Sequence, residues 1–251
     1  MTGTFLDGVP VGSVPASLLG EASGLVASQH NPSVLWAHND SGDTNRVVAL
    51  NLQGNSLGSF VLAGATHTDY EDIAIGPGPN AGTSYLYVAD IGDNSEVRSN
   101  VTLYRVAEPV VDANGGDQST TLAGVETITL SYPDGAHNAE TLLVDPLDGE
   151  IYIVTKHFTN NNRVYRTAIP GGGNTAATLE FAGEMDWSYA LGGDVSSTGL
   201  EVLLKTTGQV YLYDRPHGTS LADALISPVQ VVNPPYTPEL QGEAITFDAN
   251  G

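Results

Sequence analysis

The sequence predicts an all-β fold, a five-bladed β-propeller whose blades are four-stranded and antiparallel. Three observations lead to this prediction. Apolar stretches are short and alternating, and nearly all are bounded by Gly, Asn, Asp or Pro, which is typical of strands joined by turns. The same strand pattern returns at a period of about 50 to 70 residues, which indicates a propeller. The pattern begins five times along the 251 residues, so we expect five blades.

The first strand of each predicted blade begins with a small or acidic residue that is followed by an apolar run. Three of these openings begin with Glu, and each has a turn residue (Gly76, Asp145 or Asp248) five positions after that Glu. The fourth opening has a register that is ambiguous by about two residues. In chain order, the openings are residues 23–27, 71–75, 140–144, 190–195 and 243–247.

The other strands follow at regular offsets from these openings. Aromatic-rich second strands are predicted at residues 34–37, 85–88, 151–154 and 202–204. Third strands are predicted at residues 46–50, 101–105, 163–166 and 209–213. Weaker fourth strands are predicted at residues 56–62, 126–130, 178–182 and 229–232. The only helical segment expected is a single turn at residues 222–225.

These strands make one domain over residues 1–251. Its predicted blades cover residues 21–64, 69–131, 138–184, 188–233, and finally 240–251 together with 3–19. The last blade has a first strand but no second or third strand, and the segment from residue 4 to residue 19 is expected to supply its outermost strand. Two explanations stay open: either the sequence is truncated by a few tens of residues, or residues 1–20 complete the blade unaided. An open blade edge would allow association with another chain.

Composition excludes several classes of protein. Eight Lys and Arg stand against 29 Asp and Glu, a formal net charge of −21, so the surface repels nucleic acid and anionic membranes. No apolar run approaches the roughly 18 residues of a membrane span. There is no Cys, which excludes disulfides and thiolate sites. The first four residues show no signal peptide, so for a secreted or periplasmic protein we expect a mature or trimmed form.

The openings of the first strands predict a metal site. In a propeller, first strands line the central channel and begin at one mouth, where the ends of the second strands also meet. Carboxylates crowded there need a cation or raised pKa values. Calcium suits such oxygen ligands, whereas zinc is disfavoured because the ring contains no His. The alternative is that each strand begins with a solvated polar residue by chance. The predicted ligands are Glu21, Ser23, Glu71, Glu140, Asp194 and Glu243.

Polar residues after the second strands form a predicted rim around this mouth. The only two lysines of the chain, Lys156 and Lys205, are predicted to neutralise charge on a phosphate or carboxylate ligand. Asp40 and Asp90 are the candidate catalytic bases. The alternatives are solvated lysines and turns held by Asx hydrogen bonds. The predicted substrate-binding residues are His38, Asn39, Asp93, Asn94 and His157.

Two resemblances accompany these patterns. The runs at residues 38–42, 70–74, 87–94 and 104–109 resemble a group of secreted bacterial propeller proteins to which no function has been assigned. The ring also resembles, distantly, that of the calcium-activated nucleotidases (apyrases), five-bladed propellers with calcium in the channel. Their first-strand ligands run Ser, Glu, Glu, Ser, Glu, which matches Ser23, Glu71, Glu140 and Glu243 here. The blade-four serine and the paired arginines of the third blade are missing.

These observations predict an exported calcium-binding propeller. As an enzyme, it is expected to hydrolyse phosphate esters or anhydrides, with the metal polarising the substrate or activating water. Hydrolysis of a lactone on calcium is a related possibility. The alternative is a non-catalytic propeller that holds a structural metal and binds glycan or protein on one face, because the fold serves both uses.

Overall fold

The computed structural model describes residues 5–239 and 241–249 of the chain. These residues form 18 strands and one short helix. In chain order they are β1 (Ala22–Ala27), β2 (Val34–Asn39), β3 (Arg46–Asn51), β4 (Ser56–Leu62), β5 (Tyr70–Gly76), β6 (Tyr85–Asp90), β7 (Val101–Ala107), β8 (Thr120–Leu122), β9 (Glu126–Ser131), β10 (Ala139–Val144), β11 (Glu150–Thr155), β12 (Arg163–Ala168), β13 (Thr175–Thr178), β14 (Glu180–Glu184), β15 (Gly192–Val195), β16 (Glu201–Lys205), β17 (Val210–Asp214), α1 (Leu221–Ile226) and β18 (Val231–Val232).

The strands form four sheets, which are four blades of a β-propeller. The strand orders are β1-β2-β3-β4-β8, β5-β6-β7-β9-β13, β10-β11-β12-β14 and β15-β16-β17-β18. Each blade is a meander of antiparallel strands, and its first strand is innermost, so that β1, β5, β10 and β15 line the central channel. The prediction of an all-β propeller is therefore confirmed.

The hydrophobic core lies between blades rather than inside any one of them. Trp36 of β2 packs with Ile73 and Leu86 of the second blade in one buried cluster. A second cluster joins the second and third blades, and a third cluster joins the third and fourth. Because a strand in a blade alternates its side chains between two faces, each blade contributes to the cores on both sides of it.

Two blades have a fifth strand, which corrects the prediction of four strands in every blade. β8 pairs in parallel with β4, and β13 pairs in parallel with β9. Both added strands come from the connection before the fourth strand of the following blade. The same connection in the fourth blade is α1, which packs beside β14 of the third blade. These additions cover sheet edges that would otherwise expose unpaired backbone groups.

The helix α1 occupies the place where a single helical turn was expected. Ser220 caps it, because the Ser220 hydroxyl accepts a hydrogen bond from the amide of Asp223 at 3.1 Å. Leu221, Ala222 and Leu225 are buried in the core between the third and fourth blades. Among residues 5–239 and 241–249, no helix combines the length and apolar character that crossing a bilayer requires.

A fifth blade is not observed among the described residues, and residues 241–249 contain no strand. They pass between β1 and β15, where the first strand of a fifth blade was predicted. The Thr246 hydroxyl donates to Asp194 Oδ2 at 2.7 Å and accepts from the Ala27 amide at 3.1 Å. The Phe247 amide donates to the same Asp194 oxygen at 2.9 Å. Hydrogen bonds that involve the side chains of Thr246 and Asp194 therefore hold this segment between β1 and β15, instead of a β-ladder. Residues 240, 250 and 251 of the predicted blade lie outside the described residues.

The amino-terminal segment does not supply the outer strand that was predicted for a fifth blade. Residues 5–19 contain no strand, and residues 3 and 4 lie outside the described part. Leu19 packs instead on Ala37, Val48 and Leu50 of the first blade, and the Ser13 amide donates to the Gln53 carbonyl at 3.2 Å. The physical reason is burial: this apolar face of the first blade has no neighbouring sheet among the described residues, and the segment covers it.

Candidate functional site

The first strands of three blades have an irregularity at the same place, and it positions the candidate site. The pairing register shifts between Ala22 and Gly24 in β1, and equivalent shifts surround one residue in β5 and one in β10. A β-bulge leaves its extra residue out of the ladder and re-aims its side chain. The bulged residues are Ser23, Glu71 and Glu140.

A second set of equivalent positions follows the second strands. The amides of Asp40, Gly92 and Lys156 donate at 2.8, 3.2 and 2.9 Å to carbonyls that lie two residues before each bulge. These three rim positions therefore carry a carboxylate, no side chain and an ammonium group. The accepting residues are Glu21, Asp69 and Asn138.

Three carboxylates meet at the mouth of the channel. Asp40, Asp69 and Glu71 each offer an oxygen, and these oxygens all lie within 4.8 Å of one another. Gly92 allows this approach, because a Cβ atom there would stand 2.3 Å from carboxylate oxygens of both Asp69 and Glu71. The arrangement can share one cation among three acidic side chains.

Glu140 adds a carboxylate from the third blade. Its Oε1 atom forms an ion pair with Lys156 Nζ, while its Oε2 atom is buried and has no hydrogen-bond partner among the described residues. The residue is only 3% exposed. A buried oxygen that lacks a donor is costly, so this atom is suited to receive a ligand such as a cation.

The pKa values at the mouth reflect burial first and mutual repulsion second. Burial raises the pKa of Glu71, and the neighbouring Glu140 and Asp40 raise it further. Burial also raises the pKa of Glu243, and the neighbouring Asp40 raises it further. For Lys156, burial would lower the pKa, but the Glu140 carboxylate outweighs it and the pKa is raised. The mouth therefore carries an excess of negative charge that protons or a cation must balance.

The structure thus brings together most of the predicted ring and one predicted base. Glu71, Glu140 and Glu243 influence one another's charge, and Asp40 stands among them. The Ser23 hydroxyl donates to the Glu71 carbonyl at 2.6 Å. The residues that make these contacts come from the first three blades and from residues 241–249. They are far apart along the chain and become neighbours only when the blades assemble around the channel.

Other predicted residues lie elsewhere or are occupied. Asp194 binds Thr246 and Phe247 further along the channel, and Glu21 is exposed beside the mouth. Asp90 is buried, pairs with Arg98 at 2.9 Å and accepts the Thr68 amide at 3.0 Å. The closing segment therefore engages Asp194, while Arg98 and the rim backbone engage Asp90.

The two lysines are both engaged with carboxylates. Lys156 pairs with Glu140 and lies 4.9 Å from the centre of the Tyr189 ring. Lys205 is buried, 3.5 Å from Glu239, and lies 5.2 Å from the centre of the Tyr236 ring. Burial lowers the pKa of Lys205. Both ammonium groups are therefore already paired with carboxylates. They were predicted to be available to a phosphate or carboxylate ligand.

Four of the predicted substrate-binding residues have structural contacts within the rim. His38 is buried, and its Nδ1 atom lies 2.9 Å from the Asn39 carbonyl. The Asn39 side chain donates to Asp43 at 2.7 Å. The Asp93 carboxylate accepts the Arg98 amide at 2.7 Å, and Asn94 Oδ1 accepts from the side chain of Asn138 at 3.3 Å. The contacts of Asn39 and Asp93 are local, as the turn alternative predicts, whereas Asn94 contacts a residue 44 positions away. The fifth residue, His157, lies in a separate pocket on the rim.

The chain is similar to a number of solved structures, including two crystal structures. One is the crystal structure of an auxiliary nutrient binding protein from Bacteroides thetaiotaomicron, with a TM-score of 0.46 and 12% identity over 85% of this chain and 42% of that one. The other is the crystal structure of a nidogen/laminin complex, with a TM-score of 0.44 and 10% identity over 90% of this chain and 68% of that one. The chain spans less than half of the first protein's length. No protein-family model matches the sequence, and no curated protein matches it.

Two acidic residues near the mouth, Asp69 and Asp72, were not among the predicted site residues. Asp69 lies two positions before Glu71, the same offset that led to Glu21 before Ser23, so the signal was present. Asp72 is buried between β5 and β10, where its carboxyl group accepts the amides of Ile73 and Leu142 at 2.9 Å each. Burial raises the pKa of Asp72 well above its usual range. Asp72 lies inside the apolar run of a predicted strand, so no sequence pattern marked it as a site residue.

A cavity of about 560 Å³ opens beside the carboxylates. Asp40 and Glu243 are part of its wall, and Val14 and Leu19 contribute apolar surface. Glu21 and Glu239 add further negative charge. The volume falls in the range of small-molecule pockets. A ligand in this cavity would therefore contact both an apolar wall and the acidic mouth.

Proposed function

We propose that the protein is a calcium-dependent ligand-binding propeller. Asp40, Asp69 and Glu71 hold the cation, and Glu140 and Glu243 complete its surroundings. The proposal rests on one observation, the approach of three carboxylate oxygens to within 4.8 Å of one another. Calcium fits best, because it takes about six to eight oxygen ligands in flexible geometry, whereas magnesium demands a tight octahedron.

Binding is supported better than hydrolysis. Lys156 and Lys205 already pair with Glu140 and Glu239, so they offer little to a phosphate. Asp40, one of the two predicted bases, belongs to the proposed calcium ligands and is therefore not free to act as a base. The acidic cavity walls disfavour an anion and favour a neutral ligand with many hydroxyl groups, which can complete the coordination of calcium. We therefore propose a glycan as the ligand class. Hydrolysis, the link to nucleotidases and export stay predictions from the sequence.

Calcium binding can be measured directly by calorimetric titration of chelator-treated protein. We expect the wild type to bind calcium and prefer it to magnesium, and Asp69→Asn to weaken calcium binding at least tenfold by removing one charged ligand. Glu180→Gln is the matched control, because Glu180 is an exposed carboxylate that pairs with Arg166 on the outer edge of the third blade. Calcium binding that is absent, or equal in the Asp69→Asn and Glu180→Gln variants, would refute the proposed site.

The ligand class can be tested on a glycan array. We expect retention of the protein on a subset of glycans in calcium and its release by chelator. The same preparation is assayed for turnover of nucleoside di- and triphosphates, phosphoesters and lactones. Calcium-dependent turnover of any of these compounds would replace the binding proposal by hydrolysis.

A further inference from the structure

A second cluster of metal-binding side chains lies on the rim, apart from the carboxylates of the mouth. Glu96, His137 and His157 each offer a ligand atom, and these atoms all lie within 4.8 Å of one another. We propose that Glu96, His137 and His157 bind a divalent transition metal of the zinc class. Of these three residues, only His157 is a predicted site residue, and its predicted role is substrate binding.

Three separate turns bring these residues together. Glu96 follows β6, His137 precedes β10 and His157 follows β11. His157 comes directly after Lys156, but the two side chains have different partners. Lys156 pairs with Glu140 in the mouth, whereas the Nδ1 atom of His157 lies 3.8 Å from Glu96 Oε1.

Neighbouring groups orient His137 as a ligand. Its ring is buried, and its Nε2 atom lies 3.1 Å from Asp134 Oδ1 and 2.9 Å from the Tyr165 hydroxyl. The Tyr165 hydroxyl donates its own proton to Asp134 at 2.8 Å, so it accepts from the imidazole. With Nε2 donating in this way, Nδ1 is the ring nitrogen that can bind a metal. A carboxylate behind a histidine in this way is the usual support of a metal ligand.

The backbone at Glu96 forms a tight turn that fixes where this side chain begins. Its φ angle is 51°, in the left-handed region that residues other than glycine seldom adopt. The turn is held by a hydrogen bond from the Glu96 amide to the Asp93 carbonyl at 2.8 Å.

The charge around the cluster favours a cation. Arg163 is the basic residue in the pocket wall, but it pairs with Asp134 at 2.8 Å and Glu184 at 3.2 Å. With Glu96, three carboxylates therefore stand against one guanidinium group.

The donor set selects the class of metal. Two imidazole nitrogens and one carboxylate suit zinc and its neighbours in the first transition row, whereas calcium prefers oxygen ligands alone. Three protein ligands leave one tetrahedral position open. That position would face a rim cavity of about 630 Å³, whose wall also includes Asn160 and Asn161.

The test is a zinc titration of untagged, chelator-treated protein, followed by cobalt substitution and visible absorption. We expect the wild type to bind zinc and to show tetrahedral cobalt bands. His157→Ala and Glu96→Gln should each weaken zinc binding at least tenfold and remove those bands. His217→Ala is the matched control, because it removes an exposed histidine distant in sequence from the cluster. Circular dichroism verifies that each variant is folded.

Glu71→Gln distinguishes zinc binding at this cluster from zinc binding at the mouth. If zinc binds at the cluster, the zinc affinity of Glu71→Gln should equal that of the wild type. Three results would overturn the proposal: no zinc uptake by the wild type, equal affinities in His157→Ala and His217→Ala, or a loss in Glu71→Gln as large as in His157→Ala. The last result would place zinc among the carboxylates of the mouth.

Discussion

Replacement of Arg215 by methionine is expected to lower the free energy of unfolding by about 3 to 5 kcal/mol. Arg215 is 4% exposed, and it pairs at 2.7 Å with Asp145, which is fully buried. It also donates to the carbonyl of Thr219 at 2.8 Å. Its loss leaves the Asp145 charge buried without its partner and removes a link between the third and fourth blades.

A surface arginine provides the matched control. Arg166 pairs with Glu150 and Glu180 at 3.3 and 3.4 Å, but its side chain is 30% exposed. We expect Arg166→Met to change stability by less than about 1 kcal/mol, because water and salt screen such pairs. Urea denaturation followed by tryptophan fluorescence measures both variants. If the two substitutions cost the same, the buried pair is not what joins these blades.

Glu71→Gln is expected to have opposite effects with and without calcium. In calcium, the variant should be less stable than the wild type, because it loses a charged ligand of the cation. Without calcium, it should be more stable, because it removes one of several crowded, buried carboxylates. Thermal unfolding in calcium and in chelator tests this reversal. A variant that is less stable in both conditions would mean that Glu71 has a purely structural role.

The advantage of Glu71→Gln without calcium should also depend on pH. Burial raises the folded-state pKa of Glu71 far above its unfolded value of about 4.3. The folded wild type therefore keeps a proton that the unfolded chain releases, and its stability falls as pH rises from about 4.3 toward the folded-state pKa. The fall is at most about 1.4 kcal/mol per pH unit. The Glu71→Gln variant lacks this contribution, so the difference in unfolding free energy between variant and wild type should widen between about pH 5 and pH 8. Parallel pH profiles of the two proteins would contradict this prediction.

Much of the blade architecture was predictable from local patterns. The predicted strands at residues 34–37, 56–62 and 101–105 all fall within observed strands, because alternation and turn residues are local properties. The mouth was predictable for a similar reason. Glu71 and Glu140 hold the same place in their repeats, and equivalent places in a propeller converge on one axis.

The state of the lysines was not predictable. Lys156 and Lys205 were expected to be open to a ligand, but they are paired with Glu140 and Glu239. Glu239 comes from a segment with no strand pattern, so nothing in its own sequence marked it as a partner. The rim cluster was hidden for a related reason: Glu96, His137 and His157 are far apart along the chain and share no repeat position.

The sequence by itself determined most of the strands, the antiparallel order within each observed blade and the acidic residues that begin two of the first strands. Periodicity and turn chemistry depend on neighbours within a few residues, so they can be read from the chain. Only the tertiary structure decided how many sheets form, that residues 5–19 cover the first blade, and which carboxylates pair with a cation. Those outcomes depend on burial and electrostatics between segments that meet only after the propeller closes.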